Sequence, residues 1–216
     1  MTLCAVPGND CSGLIADIVF LVDSSGSIRD ADVAGEEPNY NQMRAFIASL
    51  VESFTYGNDG IRVGAVTFSN RARNRFFLNT HASRDAVVNA ITNLPYDGGF
   101  TYTGEALALM KDVQFTAENG DRPDVPNIAI VLTDGASNVN ESLTIPLAEM
   151  ARAEGITIYS IGITNSINET EVRLMSSEPQ ELGVNYYLSE DFAGLSDLTT
   201  QLTTATCDAD PSMSCD

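Results

Sequence analysis

Apolar positions along the chain follow two rhythms that take turns. Residues 18–22 form an uninterrupted apolar run of strand length, as expected of a strand buried on both faces. Met43, Phe46, Ile47, Leu50, Val51 and Phe54 then recur at helical spacing, which predicts an amphipathic helix over residues 39–55, ended by Gly57 and Gly60. Residues 61–69 are rich in β-branched and aromatic side chains and read as a second strand. Arginines alternate along residues 72–78, which predicts an edge strand, since charge keeps an edge from pairing with other chains. That arginine run reads as a solvated edge rather than a binding patch. Ser83 is placed to cap a helix carrying Val87, Val88, Ile91 and Leu94, which Pro95 stops, and another helix is expected over residues 103–115 after the Gly98-Gly99 turn. Further strands are expected over residues 127–134, 156–163 and 184–188. Thr144 and Pro146 open a helix that ends at Gly155, and Leu195, Leu198, Leu202 and Ala205 give the closing helix its inner face.

Strands alternating with helices imply right-handed crossovers and a parallel sheet covered on both sides. The expected class is therefore α/β, doubly wound and mostly parallel, with one antiparallel edge strand and helices on both faces. With 216 residues, 44% of them hydrophobic, the chain suits a single domain with short tails.

Charge narrows the possible partners. Thirty acidic against 11 basic residues give a net charge of −19, which opposes nucleic acid and anionic lipid and favours cations and cationic surfaces. Lys111 and His81 are the sole residues of their types, so an enzyme would have to work with carboxylates and hydroxyls. The cysteines, Cys4, Cys11, Cys207 and Cys215, stand only at the ends and lack the CxxC spacing of zinc or redox sites, so they read as staples. Three pairings are open; if the termini meet, Cys11 with Cys207 and Cys4 with Cys215 is favoured, against free thiols in a cytosolic protein. Asn140-Glu-Ser142 and Asn168-Glu-Thr170 are candidate glycosylation triplets that agree with secretion. No hydrophobic run is long enough to span a bilayer, and residues 1–15 contain no signal-peptide core, so Met1 reads as the start of an excised or processed fragment.

Ligands of an open α/β sheet bind beyond the carboxyl ends of its strands. Asp23, Ser25 and Ser27 follow the first strand at alternating positions, Thr101 lies in the loop "GGFTYTG", and Asp134 follows "IVLT", so all five should meet at one edge. Carboxylates and hydroxyls without His or Cys make a hard oxygen set, suited to Mg²⁺, Mn²⁺ or Ca²⁺ and poor for zinc or copper. An ion with so few direct negative charges stays electrophilic and open to an outside carboxylate.

The segments "DIVFLVDSSGSI", "GGFTYTGEAL" and "IAIVLTDGAS" resemble, in order and spacing, the three blocks of the metal-ion-dependent adhesion site of von Willebrand factor type A domains. The resemblance covers about residues 12–206, leaving residues 1–11 and the acidic residues 207–216 as tails. It is closest in flavour to the A domains of matrilins, microfibrillar collagens and invertebrate shell or byssal matrix proteins. It implies that Ser25, Ser27 and Thr101 coordinate the ion and that Asp23 and Asp134 bind it directly or through water. Thr101 matches the ligand position better than Thr103. A partner's Glu or Asp would complete the shell, for adhesion without turnover, and collagen is the commonest type of partner. The implied setting is a secreted, larger multidomain or multimeric protein of the extracellular matrix. The insertion "RDADVAGEEPN" departs from the family pattern and brings Asp30, Asp32, Glu36 and Glu37 towards the metal face. Asp30 lies where A-like domains of integrin β subunits begin an adjacent calcium site, although Ala31 replaces that site's second carboxylate. A second Ca²⁺ site at Asp30 and Asp32 is therefore an expectation. In the family, movement of the metal shell couples to the final helix, and a Cys11–Cys207 bridge would anchor that helix.

Other function classes compete with adhesion. A phosphatase of the haloacid dehalogenase type needs a carboxylate two residues beyond its nucleophile and a lysine on the phosphate. Ser25 stands at the first position, and Lys111 lies inside a predicted helix. A structural acidic protein that associates with calcium mineral or cationic polymer through bulk charge would bind independently of the metal site and weaken steadily with salt.

Overall fold

The computed structural model describes residues 13–29, 37–164 and 167–208. Strand β1, Asp17–Asp23, is buried along its whole length. Ile18, Phe20 and Val22 point into one core and Val19 and Leu21 into another, so a strand with no solvent side has no use for alternating polar residues. Strands β2 (Arg62–Phe68), β3 (Ala72–Phe76), β4 (Asn127–Thr133), β5 (Thr157–Ile163) and β6 (Tyr186–Ser189) complete a sheet of order β3-β2-β1-β4-β5-β6. Only β3 runs antiparallel to its neighbour, as expected for the arginine-bearing edge. The chain steps outward from β1 to β3, then returns to the far side of β1 to lay down β4. That reversal opens a crevice where the connections leaving β1 and β4 diverge.

Helices α1 (Pro38–Glu52), α2 (Arg84–Thr92) and α6 (Leu195–Asp208) cover one face. Helices α3 (Thr103–Leu109), α4 (Thr144–Ala153) and α5 (Glu169–Met175) cover the other. Ser83 caps α2 as expected, accepting the Ala86 N–H. The helix expected over 103–115 stops at Leu109 and continues as a π turn, Met110–Gln114. This turn delivers Gln114 to the bulge between β2 and β3, where its Nε2 lies 3.0 Å from Asn74 Oδ1 and 3.1 Å from the Phe76 carbonyl. Helix α5 was not expected. It buries only Val172 and Met175, one helical pair, too short a run to register as periodicity.

At the amino edge of the sheet, Asp17 is fully buried and meets Arg122, whose Nη2 lies 2.7 Å from Asp17 Oδ1. The Arg122 backbone N–H binds Asp17 Oδ2 at 2.7 Å, and its guanidinium also donates to the carbonyls of Ala16, Asn58 and Gly60. Burial raises the Asp17 pKa in spite of these partners. Cys207, near the end of α6, is disulfide-bonded, and the pairings expected of it with Cys11, and of Cys4 with Cys215, fall outside the described residues. No helix among the described residues is long and apolar enough to cross a membrane.

Candidate metal centre

Asp23 closes β1 and turns its carboxylate into the crevice, where the Ser25 N–H donates to Oδ1 at 2.8 Å and the Thr133 hydroxyl to Oδ2 at 2.6 Å. Above it, Ser25 Oγ lies 3.1 Å from Ser27 Oγ, which donates to Asp134 Oδ1 at 2.7 Å. The turn after β1 and the residue after β4 thus join in one chain of oxygens at the strand-order reversal.

Thr101 arrives from the 98–101 loop, which is tied to that turn. The Gly26 N–H donates to the Gly99 carbonyl, the Gly98 N–H to the Ser24 carbonyl and the Tyr96 hydroxyl to the Ser25 carbonyl, each at 2.8 Å. So close an approach needs glycine, since a Cβ at Gly26 would lie 3.1 Å from the Gly99 oxygen. Thr101 itself is buried and held by its backbone. Its N–H donates to Asn138 Oδ1 at 2.8 Å, and its carbonyl accepts the Asn138 N–H at 3.0 Å and the Ser137 hydroxyl at 3.3 Å. Thr103 is fully buried at the start of α3, and its hydroxyl has no partner among the described residues.

These supports were not foreseen from the sequence. Asn70 accepts the Phe100 N–H at 2.8 Å, and Glu171 of α5 accepts the Ser137 N–H at 2.9 Å, so α5 steadies the loop that steadies Thr101. The arginine run is also more than a solvated edge. Arg73, itself exposed like Arg71, places Nη1 3.0 Å from Asp97 Oδ1, and the half-buried Arg75 pairs with the same carboxylate, beside the 98–101 loop. A signal was available for Asn70 and Asn138, since each is an Asn in a short polar loop between predicted elements, where side chains cap backbone groups. Lys111 pairs with Asp112 and, at 3.1 Å, with Glu154. Asn140 Nδ2 donates to the Tyr102 hydroxyl at 2.7 Å, and Asn168 Oδ1 caps α5; both residues are exposed. Asp30, Asp32 and Glu36, and with them the expected second Ca²⁺ site, fall outside the described residues; Glu37 immediately precedes α1.

Electrostatics fit a cation. Burial, and after it the charge of Asp134, push Asp23 up to about 7, against the hydrogen bonds from Thr133 and Ser25 that favour its ionised form. Buried carboxylates that repel each other, beneath hydroxyls able to turn their lone pairs inward, form a hard-oxygen set that a dication would relieve. The folded pKa lies above the ordinary aspartate value of 3.8, so the metal-free native state keeps a proton that the unfolded chain has lost. Metal-free stability is therefore expected to fall as pH rises from about 4 to about 7, and Mg²⁺ affinity to rise over the same interval as metal replaces the proton. Thermal melts in chelator across that range check this. A midpoint that rose with pH, or an unchanged slope in Asp23→Asn, would refute the assignment to Asp23.

A cavity of about 580 Å³ opens beside Ser27 and Asp134, lined also by Asn39, Gln42, Thr164 and Asp191. A larger one, about 670 Å³, lies between the starts of β5 and β6 and the later half of α6, away from these oxygens.

The profile of the von Willebrand factor type A domain matches residues 17–201. The collagen alpha-1(XII) chain of Notophthalmus viridescens is 36% identical over 203 residues, which are 94% of this chain and 20% of that protein. Matrilin-1 of Gallus gallus is 31% identical over 196 residues, 91% of this chain and 37% of that protein. Among solved structures, proximal thread matrix protein 1 from the mussel byssus is similar at a TM-score of 0.82 and 29% identity, covering 91% of this chain and 49% of its own. Another structure of that mussel protein is described as having a zinc occupied MIDAS motif. The chain thus spans less than half the length of each of these relatives.

Proposed function

The chain belongs to the von Willebrand factor type A domain family, and from that premise we propose that it is an extracellular adhesion module, secreted into a matrix, that grips an acidic side chain of a protein partner through a divalent cation. Asp23, Ser25, Ser27, Thr101 and Asp134 would hold the ion, which supplies a Lewis-acidic position for the partner's carboxylate. The observation that carries this reading is the oxygen chain Ser25–Ser27–Asp134 at the strand-order reversal, tied through the Ser25 N–H to a buried Asp23. Mg²⁺ suits the hydroxyl-rich set best, with Mn²⁺ or Ca²⁺ as substitutes. The zinc of the mussel protein supports a dication at the matching place and belongs to that protein.

Relatives named as collagens, matrilins and a byssal matrix protein support a matrix partner, with collagen first among the candidates. The activity is binding without turnover. One metal-bound carboxylate has to displace water and order its neighbours, so a single module grips weakly and repeated copies would supply strength. Retention on immobilised collagens and other matrix components is expected with Mg²⁺ and lost in chelator. Retention that persisted in chelator and faded steadily with salt would favour the charge-based reading that the −19 net charge allows.

A further inference from the structure

We infer that Phe100 is the anchor by which this face recognises its partner, and that the partner's metal-seeking carboxylate is accompanied, one or two residues away, by an apolar side chain that closes over the Phe100 ring. The inference rests on the proposed metal reading of the site and adds the chemistry of the residue beside the carboxylate. Phe100 is 65% exposed, the most exposed of the large apolar side chains among the described residues. A lone exposed phenylalanine is ordinary on a protein surface. This one differs in its position and in how firmly its backbone is held.

Phe100 directly precedes Thr101, so its Cα stands about 3.8 Å from that of a candidate ion ligand. An extended partner advances about 3.3 Å per residue, so a carboxylate over the ion puts the residues on either side of it within reach of the ring. The backbone is fixed from both sides. Asn70 Oδ1 takes the Phe100 N–H at 2.8 Å, and Asn138 Oδ1 takes the Thr101 N–H at 2.8 Å. Gly99, at φ +97°, leaves its inner side to Asn70, whose Nδ2 would lie 2.4 Å from a Cβ placed there. A loop already ordered loses little freedom on binding, which is the property of rigid aromatic anchors at interface hot spots. An apolar contact beside the ion would also keep water from the metal–carboxylate bond and so strengthen it. Among the described residues, the side of the site by Ser27 and Asp134 offers no such contact of comparable exposure, since the cavity there is lined mainly by Asn39, Gln42, Thr164 and Asp191, and its Phe192 is buried.

The test uses the whole chain over dense arrays of synthetic peptides. One peptide carries a single Glu in a Gly/Ser background, and its counterpart has a Leu one or two residues from that Glu. In Mg²⁺ the parent should be retained about tenfold better by the Leu-bearing peptide. Phe100→Ala should bring the two retentions level, and Phe100→Leu should restore most of the difference; Mg²⁺ titration of each variant reports whether the ion shell is intact. Equal retention by the parent, or a preference that survives Phe100→Ala, overturns the role of Phe100 alone. Absence of Mg²⁺-dependent retention of either peptide overturns the metal reading together with it.

Discussion

Asp134→Ala is expected to abolish Mg²⁺ binding while leaving the metal-free protein at least as stable as its parent. Outer residues that merely orient ligands cost about 10- to 100-fold in metal affinity when lost, so a charged ligand should cost more than about 100-fold. The stability effect runs the other way. Asp134 accepts a hydrogen bond from an exposed serine, Ser27, but its charge raises the pKa of the fully buried Asp23. An exposed hydroxyl can turn to water, whereas a buried carboxylate has no such outlet, so the repulsion outweighs the hydrogen bond. At a Mg²⁺ concentration 100 times its Kd, the parent should gain about 2.7 kcal/mol by mass action and the variant nothing. For a domain of this size that is a shift of roughly 5–10 °C in Tm. Calorimetric titration and melts in chelator and in Mg²⁺ read both effects. Retained Mg²⁺ binding would remove Asp134 from the ion's shell, and a lower melt in chelator would rank the Ser27 hydrogen bond above the repulsion.

Arg122→Met should cost the fold about 3–5 kcal/mol, because it strands a buried carboxylate rather than because the ion pair is strong. Asp17 is fully buried, and the guanidinium also satisfies three carbonyls that the variant would leave short of donors. The double variant Asp17→Asn/Arg122→Met should regain much of the loss, since it removes the stranded charge. Burial already raises Asp17, and losing Arg122 removes the partner that lowers it, so the deficit should shrink as acid protonates the group. Urea unfolding at neutral and at acid pH measures this. Mg²⁺ affinity should hold, since the pair lies at the start of β1 and the candidate metal centre at its end. A loss below 1 kcal/mol would mean that Asp17 finds water in the folded state.

Much of this architecture could be read from the chain because the strands are buried on both faces and announce themselves as apolar runs, as residues 18–22 do. The candidate ion shell was legible for a related reason. Polar residues crowd where two apolar runs stop, after β1 and after β4, on strands that a doubly wound sheet sets side by side, whereas Thr101 was marked out by its glycine-bounded loop and the family resemblance. Elements that rest on a single contact were harder to see. Helix α5 has one buried pair, and its capping residue, Asn168, also reads as a sugar acceptor. The π turn exists because Gln114 fits a bulge whose position depends on strand register, which periodicity does not encode. Asn70, Asn138 and Glu171 act through backbone groups of distant loops, and only the folded chain shows which N–H each one faces.

Four of the five candidate ion holders are rooted in β1 and β4, strands clamped between two cores, whereas Phe100 rides on a surface loop. Heritable change confined to the exposed Phe100 side chain would therefore redirect what such a module clings to, while Thr101 and the glycines of the same loop keep their places beside the other candidate ion holders. Such a division would give repeated copies of the domain freedom to diversify in taste while sharing one inorganic clasp.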